Sequence, residues 1–147
     1  MLISIIIVVI ILICAYVRIK SRDDDARART RRFISGFWRA PRACCDAKGY
    51  SDAYLFIGLP DGTGSTSRAY IVALSGARGS INCPFEFGTR ARERAYMMFD
   101  GVAHDIDVEL DELRARMIWR DTSGDELFVW EKNGAVSAEL FDDAAAI

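Results

Sequence analysis

Histidine is almost absent from this chain, which carries a single one, His104, among 147 residues. A histidine-rich metal site is therefore excluded, and any serine or cysteine nucleophile would have to use this one residue as its base. The cysteines do not help, because Cys44 and Cys45 are adjacent and lack the C-x2-C spacing with which two thiolates hold zinc. No G-x-S-x-G nucleophile motif is present. We therefore expect a protein that is not an enzyme and that holds no metal or cofactor.

Charge is absent from residues 1–17. The apolar run LISIIIVVIILICAYV, continued to Ile19 past Arg18, would rise about 27 Å as a helix at about 1.5 Å per residue. This length is close to the ~30 Å thickness of the hydrocarbon layer of a membrane. A cleaved signal peptide is disfavoured, because the positive charges follow the run instead of preceding it. We expect a transmembrane anchor over residues 1–20, with anchor residues that include Leu2, Ile6, Ile10, Ile13 and Val17.

Basic residues follow the apolar run directly. Seven of them precede Phe33: Arg18, Lys20, Arg22, Arg27, Arg29, Arg31 and Arg32. By the positive-inside rule, the N-terminus would cross the membrane in a single pass and leave the C-terminal domain on the cytoplasmic side. Contacts with the headgroups of the lipid bilayer are expected for Arg18, Lys20, Arg22, Arg31 and Arg32. Nucleic-acid binding is the weaker interpretation of these cations, because they adjoin the bilayer.

Residues 21–49 are expected to form a basic juxtamembrane linker. A short helix within this linker is expected to end at Pro41. Phe33, Phe37 and Trp38 fall on one face of that helix. The face would lie either in the membrane interface or against the folded domain, and the pattern favours neither alternative.

From Tyr50 onward the apolar residues recur with a period of two, which is typical of strands. Apolar runs separated by turn residues predict a mainly β fold, a small antiparallel barrel or sandwich of about seven or eight strands over residues 50–147. The predicted strands are 52–59, 68–75, 80–87 with Pro84 at an edge or bulge, 90–99, 102–110, 113–120, 126–131 and 135–141. Residues 89–98 and 111–119 also fit a helix on propensity alone. The glycine-rich stretch 58–66 lacks the lysine of a phosphate-binding loop.

The Asp100-Gly101 pair predicts a two-residue hairpin turn. With this turn, three arginines face three carboxylates across the two strands: Arg94 faces Asp107, Arg92 faces Glu109, and Arg90 faces Asp111. The same logic around Ser123-Gly124 predicts three further pairs: Arg116 with Glu131, Trp119 with Phe128, and Ile118 with Val129. The charged residues of the first hairpin are therefore expected to form a structural charge ladder instead of a metal site or an acid–base pair.

The far end of the chain is acidic, since residues 104–147 hold 4 basic and 12 acidic side chains. The last stretch, ELFDDAAAI, is expected to dock on a partner protein. The residues expected at that contact are Glu139, Phe141, Asp142 and Asp143.

The Ile/Val run that starts at Met1, the basic stop RIKSR and the compact domain behind it form one plan. In this plan the chain resembles the small membrane-anchored minor capsid proteins of large icosahedral DNA viruses, in particular iridovirus-like ones. The resemblance implies a structural protein that links an internal virion membrane to the outer capsid, and it carries no catalytic residues.

Two alternatives use the same parts. One is an accessory single-pass subunit of an organellar or bacterial membrane complex, again without a small-molecule substrate. The other is a membrane-tethered barrel that binds a ligand, which predicts a sizeable apolar cavity lined by Tyr54, Phe56, Tyr70 and Phe85.

Overall fold

A computed structural model describes residues 2–60, 66–74, 81–90 and 94–133, and for residues 2–4 and 81 the backbone only. The chain divides into two compact units, residues 1–32 and 33–147. The first unit consists of helix α1. This helix runs from Leu2 to Ile34, so its last two residues belong to the second unit. The second unit contains a short helix, α2 (Arg42–Lys48), and eight strands.

The eight strands form a closed antiparallel barrel in the order β1 to β8. Their bounds are β1 Gly36–Arg39, β2 Asp52–Ile57, β3 Thr66–Leu74, β4 Ile81–Thr89, β5 Arg94–Phe99, β6 Val102–Asp111, β7 Arg116–Arg120 and β8 Glu126–Lys132. The barrel closes where Trp38 and Arg39 of β1 pair with Lys132 and Glu131 of β8. The predicted mainly β fold and the barrel are confirmed.

The N-terminal boundary of the sheet differs from the prediction. The helix expected to run towards Pro41 ends at Ile34, and Gly36 then adopts a φ of +118°, a left-handed conformation that favours glycine. Strand β1 follows at once, so Phe37 and Trp38 lie on opposite faces of a strand and not on one helix face. The barrel therefore contains one strand that was not predicted, β1. The predicted strand 135–141 lies outside the described residues.

The barrel interior is occupied by large apolar side chains. Seven of them are less than 2% exposed: Trp38, Leu55, Ile57, Phe87, Met117, Trp119 and Trp130. Aromatic rings pack against one another there, with Trp119 5.6 Å from Phe87 and 5.5 Å from Trp130 between ring centres. Burying an aromatic or large aliphatic side chain contributes about 1.5–3 kcal/mol, so this cluster is the main source of stability for the fold.

Neither of the two regions that also fit a helix on propensity is helical where the structure describes it, and residues 112–115 of the second region form a turn. Strand β5 covers Arg94–Phe99 and β7 covers Arg116–Arg120, so the helical alternative is wrong where the structure describes those residues. Pro84 was expected at an edge or bulge, and it lies inside β4 opposite Tyr70. Strand β5 pairs only with Glu86–Thr89, so the missing N–H of Pro84 removes no hydrogen bond on that side.

The predicted single-pass membrane protein, with its N-terminus across the membrane, is wrong. In the part of the chain that the structure describes, no helix is long and apolar enough to cross a membrane. The uncharged stretch whose side chains are described runs from Ile5 to Val17 and rises about 20 Å, against ~30 Å for the hydrocarbon layer. Arg18, Lys20 and Arg22 continue the same helix directly.

Candidate interaction surfaces

The apolar part of α1, defined as Ile5–Ile19, is the most apolar exposed surface of the first unit. Twelve large apolar side chains in it are 47–65% exposed: Ile5, Ile6, Ile7, Val8, Val9, Ile10, Ile11, Leu12, Ile13, Tyr16, Val17 and Ile19. Because most are consecutive, they cover every side of the helix and not one stripe of it. A contiguous apolar surface of this kind marks a binding surface.

The basic part of α1 follows directly. Arg18, Lys20, Arg22 and Arg32 are exposed, and Arg31 is half-buried. Their contact with lipid headgroups stays a prediction. The aromatic residues expected to accompany them belong to the barrel unit: Phe33 packs edge-on against Trp38 at 5.7 Å between ring centres, and Trp38 is fully buried. Of the two alternatives for these aromatic residues, the structure shows Phe33 and Trp38 packed within the folded domain.

A charged wall covers the outside of strands β5 to β8. The hairpin register predicted from Asp100-Gly101 is confirmed, with Arg94 opposite Asp107 and Met97 opposite His104. Further along the wall, Arg120 Nη2 lies 3.6 Å from Glu109 Oε2, and the predicted pair of Arg116 and Glu131 is present at 3.6 Å. The arginine of each pair is about one-third exposed and the glutamate about half exposed, so solvent screening holds each pair to about 1 kcal/mol.

One predicted pair of this wall is wrong. Arg90 does not meet Asp111; its Nη2 lies 3.2 Å from Asp105, and its guanidinium covers the ring of Tyr96. Strand β5 begins only at Arg94, so Arg90 precedes the ladder and can reach back along it. Asp111 instead lies 3.8 Å from Arg114 in the following turn. The predicted partner of Glu109, Arg92, lies outside the described residues.

An aromatic face covers the opposite side of the barrel, on β1 to β3. It consists of Phe37, Tyr54, Phe56, Tyr70, Val72 and Leu74. Phe37 pairs with Phe56, and Phe56 pairs with Tyr70, so three aromatic rings form one row across three strands. The first two rings lie 4.9 Å apart between centres. Where the structure describes it, the outside of the barrel thus carries a charged wall on β5 to β8 and an aromatic face on β1 to β3.

The aromatic face corrects the predicted ligand cavity. Tyr54, Phe56 and Tyr70 lie on the outside, because their neighbours Leu55 and Ile57 fill the interior and successive strand residues alternate between faces. Only Phe85 of the predicted lining is directed inward, where its ring packs against Phe99 and Trp119. These four residues therefore do not surround one cavity.

The residues considered for catalysis and for zinc do not assemble. His104 is exposed on β6 with its ring against Phe99, whereas Cys45 is buried in α2 beneath the Ala40 carbonyl. Burial raises the pKa of the Cys45 thiol and that of the Cys83 thiol, which keeps both protonated and weakly nucleophilic. Among the residues whose positions are described, no three histidine, cysteine or carboxylate groups converge as metal ligands.

A polar depression of about 420 Å³ lies beside the seam between β1 and β8. Its charged groups are already paired within the protein: Arg39 Nη2 donates to Asp52 Oδ1 at 2.7 Å, and Glu131 pairs with Arg116. Its remaining ammonium group, on Lys132, donates to the Phe33 carbonyl and lies 5.2 Å from the Trp38 ring centre. Partial burial lowers the pKa of Lys132. The charged groups of this depression therefore serve to hold the seam between β1 and β8 together.

Comparison of the chain with family models, with curated proteins and with solved structures finds no match. The C-terminal residues expected to contact a partner, Glu139, Phe141, Asp142 and Asp143, lie outside the described residues. The surfaces that the structure offers for a function are the apolar part of α1, the charged wall and the aromatic face.

Proposed function

We propose that this protein is a non-enzymatic structural subunit of a larger protein assembly, held in place by the apolar part of α1. The barrel supplies a rigid folded body. Its interior is occupied by Trp38, Trp119 and Trp130, and the charges of its wall pair with one another. The pairing of Arg116 with Glu131 and of Arg120 with Glu109 neutralises these charges within the barrel, and this favours a structural role over an enzymatic one.

The observation that carries the proposal is the exposure of the twelve large apolar side chains between Ile5 and Ile19. Full burial of such a side chain contributes about 1.5–3 kcal/mol, so covering the half that is still exposed contributes roughly 1 kcal/mol each. The total is on the order of 10 kcal/mol, comparable to the ~4–15 kcal/mol lost in translational and rotational freedom on association. Apolar helices of neighbouring subunits would cover every side of this segment.

The alternatives for the assembly differ in the neighbours that they require. The resemblance to minor capsid proteins stays a prediction, and it requires the subunits of a capsid shell around the barrel. An accessory subunit of an organellar or bacterial complex requires the helices of that complex around Ile5–Ile19. The ligand-binding barrel has lost its support, since Tyr54, Phe56 and Tyr70 lie on the outer face.

A photo-cross-linking amino acid at position 10 tests the proposal in the cells that produce the protein. Ile10 is 54% exposed within the apolar part of α1, so we expect protein adducts of discrete mass after illumination. The matched control places the same amino acid at Thr122, an exposed residue in the turn between β7 and β8. Adducts with lipid alone, or equal protein adducts from both positions, would contradict the proposal.

A second experiment uses the purified full-length chain. An Ile10→Asp substitution should abolish incorporation into the assembly while leaving the far-ultraviolet circular dichroism of the barrel unchanged. The charge-neutral control Ile10→Leu should be incorporated like the wild type. Incorporation of the aspartate variant at the wild-type level would show that this segment is not what holds the subunit.

A further inference from the structure

Strand β6 extends beyond β7 at the end of the barrel where the β5–β6 turn lies. On one side it pairs with β5 from Val102 to Asp107, but on the other side it pairs with β7 only from Asp107 to Asp111. Among the described residues, none pairs with Val102–Ile106 on the β7 side. We call this stretch the open edge of β6. An open strand edge presents backbone N–H and C=O groups that can pair with another strand.

The geometry of the β5–β6 turn determines which backbone groups are free. The two turn residues have φ of +48° and +80°, as in a type I′ turn. The residues that flank such a turn, Phe99 and Val102, exchange both of their hydrogen bonds, and the direction of the bonds then alternates along the strand. Ala103 and Asp105 therefore direct their N–H and C=O groups away from β5. Both residues are exposed, so these groups are accessible to a partner.

Two other strands of the barrel are also incompletely paired, and both are protected. Strand β4 pairs with β5 over only its last four residues, and Pro84 lies in the remainder, where it offers no N–H to a partner. Strand β8 pairs with β1 at only two residues, and Lys48 and Tyr50 contact the Phe128 ring of the remainder. The open edge of β6 contains no proline, and its Val102 is 57% exposed. This edge is therefore the one best suited to a partner strand.

The open edge is complementary to a second copy of itself in one antiparallel register. With a twofold axis at His104, Ala103 of one copy faces Asp105 of the other, and all the free groups of both strands are used. An axis at Asp105 would place two carboxylates directly opposite each other, which is destabilising. An axis at Ala103 would place Asp105 opposite a turn residue. In the register about His104, Arg90 Nη2 lies 3.2 Å from Asp105 within each copy and balances its charge.

We propose that the open edge of β6 is an interface between two copies of this chain, which pair antiparallel about His104. The pairing joins two β5–β6 hairpins into one four-stranded sheet and covers the exposed Val102 with the opposing strand. This interface goes beyond the proposed role of the apolar part of α1 and does not rest on it.

A His104→Cys variant of the purified full-length chain tests the pairing by disulfide trapping. In the proposed register the two residues at position 104 form a non-hydrogen-bonded pair, with Cα atoms about 4.5 Å apart, which is within the range of a disulfide. The matched control is Thr122→Cys, in the exposed turn between β7 and β8. Under mild oxidation at equal concentration, we expect His104→Cys to form a dimer at least on the order of tenfold faster.

The linked peptides should join position 104 to position 104 in mass spectrometry, and the wild type measures the background from the native thiols. Equal rates for His104→Cys and Thr122→Cys would overturn the proposal, and so would a disulfide from position 104 to a native cysteine. An edge occupied by another segment of the same chain would also prevent trapping and thus overturn it.

Substitutions of Ala103 in the His104→Cys background separate strand pairing from mere proximity. Ala103→Pro removes an N–H that is directed to the second copy and not to β5, so it should reduce the rate to that of Thr122→Cys. Ala103→Asp keeps the backbone intact and places a carboxylate opposite Asp105 of the second copy, so it should slow trapping as well. The neutral control Ala103→Ser should leave the rate unchanged. Trapping at the same rate in the serine and aspartate variants would overturn the register.

Discussion

Gly88 offers a quantitative test of the packing on the outside of the barrel. It lies on β4 directly opposite Tyr96 of β5, and a Cβ at this position would overlap the Tyr96 ring. That ring is held on two further sides: its hydroxyl lies 3.3 Å from Thr66 Oγ1, and the Arg90 guanidinium lies 4.9 Å from the ring centre. A Gly88→Ala substitution therefore forces the ring away from both partners.

The expected cost follows from the contacts that are lost. The hydrogen bond to Thr66 contributes about 0.5–1.5 kcal/mol, and an exposed cation–π contact contributes about 0.5–1 kcal/mol. Alanine in place of glycine recovers about 0.5–1 kcal/mol, because the unfolded chain loses conformational freedom. The net destabilisation is about 1 kcal/mol, which corresponds to a urea midpoint lowered by about 0.5 M for an m-value near 2 kcal/mol/M.

The sign of the effect should reverse when Tyr96 is removed first. In a Tyr96→Ala background the ring no longer occupies the space above Gly88, so Gly88→Ala should stabilise the barrel by about 0.5 kcal/mol. Urea unfolding followed by circular dichroism on the wild type, both single variants and the double variant measures all four values. Equal destabilisation by Gly88→Ala in both backgrounds would refute the assigned contact.

Two further predictions concern titration and thiol reactivity. Asp121 Oδ1 accepts hydrogen bonds from Ser123 Oγ and from the N–H groups of Ser123 and Asp125, which lowers the pKa of Asp121 below its usual value of 3.8. The stabilising contribution of Asp121 is therefore complete above about pH 4 and is lost as the pH falls through the lower folded-state pKa. Asp121→Asn should destabilise the protein at pH 7. The difference in urea midpoint between this variant and the wild type should shrink towards pH 3. Cys45 is buried and its pKa is raised, so it should react with a thiol reagent at pH 8 far more slowly than the exposed Cys14. Equal rates for these two thiols in the folded protein would contradict the burial of Cys45.

The hairpins could be predicted from local signals. Asp100-Gly101 fixes a two-residue turn, and period-two patterning on both sides then allows only one register that places Arg94 opposite Asp107. The pair of Trp119 and Phe128 follows in the same way, although β7 and β8 carry a bulge between Trp119 and Arg120. In both hairpins the turn residues and the charge pattern specify the same pairing.

Strand β1 could not be predicted from its own four residues. Phe33, Ile34, Phe37 and Trp38 fit a helical face, and the arginine-rich sequence before them favours a helix as well. The pairing of Gly36–Arg39 with β2 on one side and with β8 on the other overrides that local preference. Such partners lie at least fifteen residues away in the sequence, so a local window does not contain them.

The orientation of the aromatic residues in β2 could not be predicted either. The run from Ala53 to Ile57 is apolar at every position, so both alternating sets fit the interior. In the barrel, Leu55 and Ile57 face inward and Tyr54 and Phe56 face outward. Period-two patterning selects a face only where the other face is polar, and here it is not.

The boundary between the two units determines how the proposed assembly role can be tested. The last residues of α1 belong to the barrel unit, because the Trp38 indole N–H donates to the Ile34 carbonyl at 2.8 Å and Lys132 donates to the Phe33 carbonyl. The boundary between the two compact units therefore falls at Phe33. The predicted division into residues 1–20, 21–49 and 50–147 stays a prediction. The buried residues of the barrel core all belong to the second unit, so substitutions in the first unit such as Ile10→Asp should alter assembly without unfolding the barrel. A loss of incorporation at unchanged barrel stability would then report on the apolar part of α1 alone.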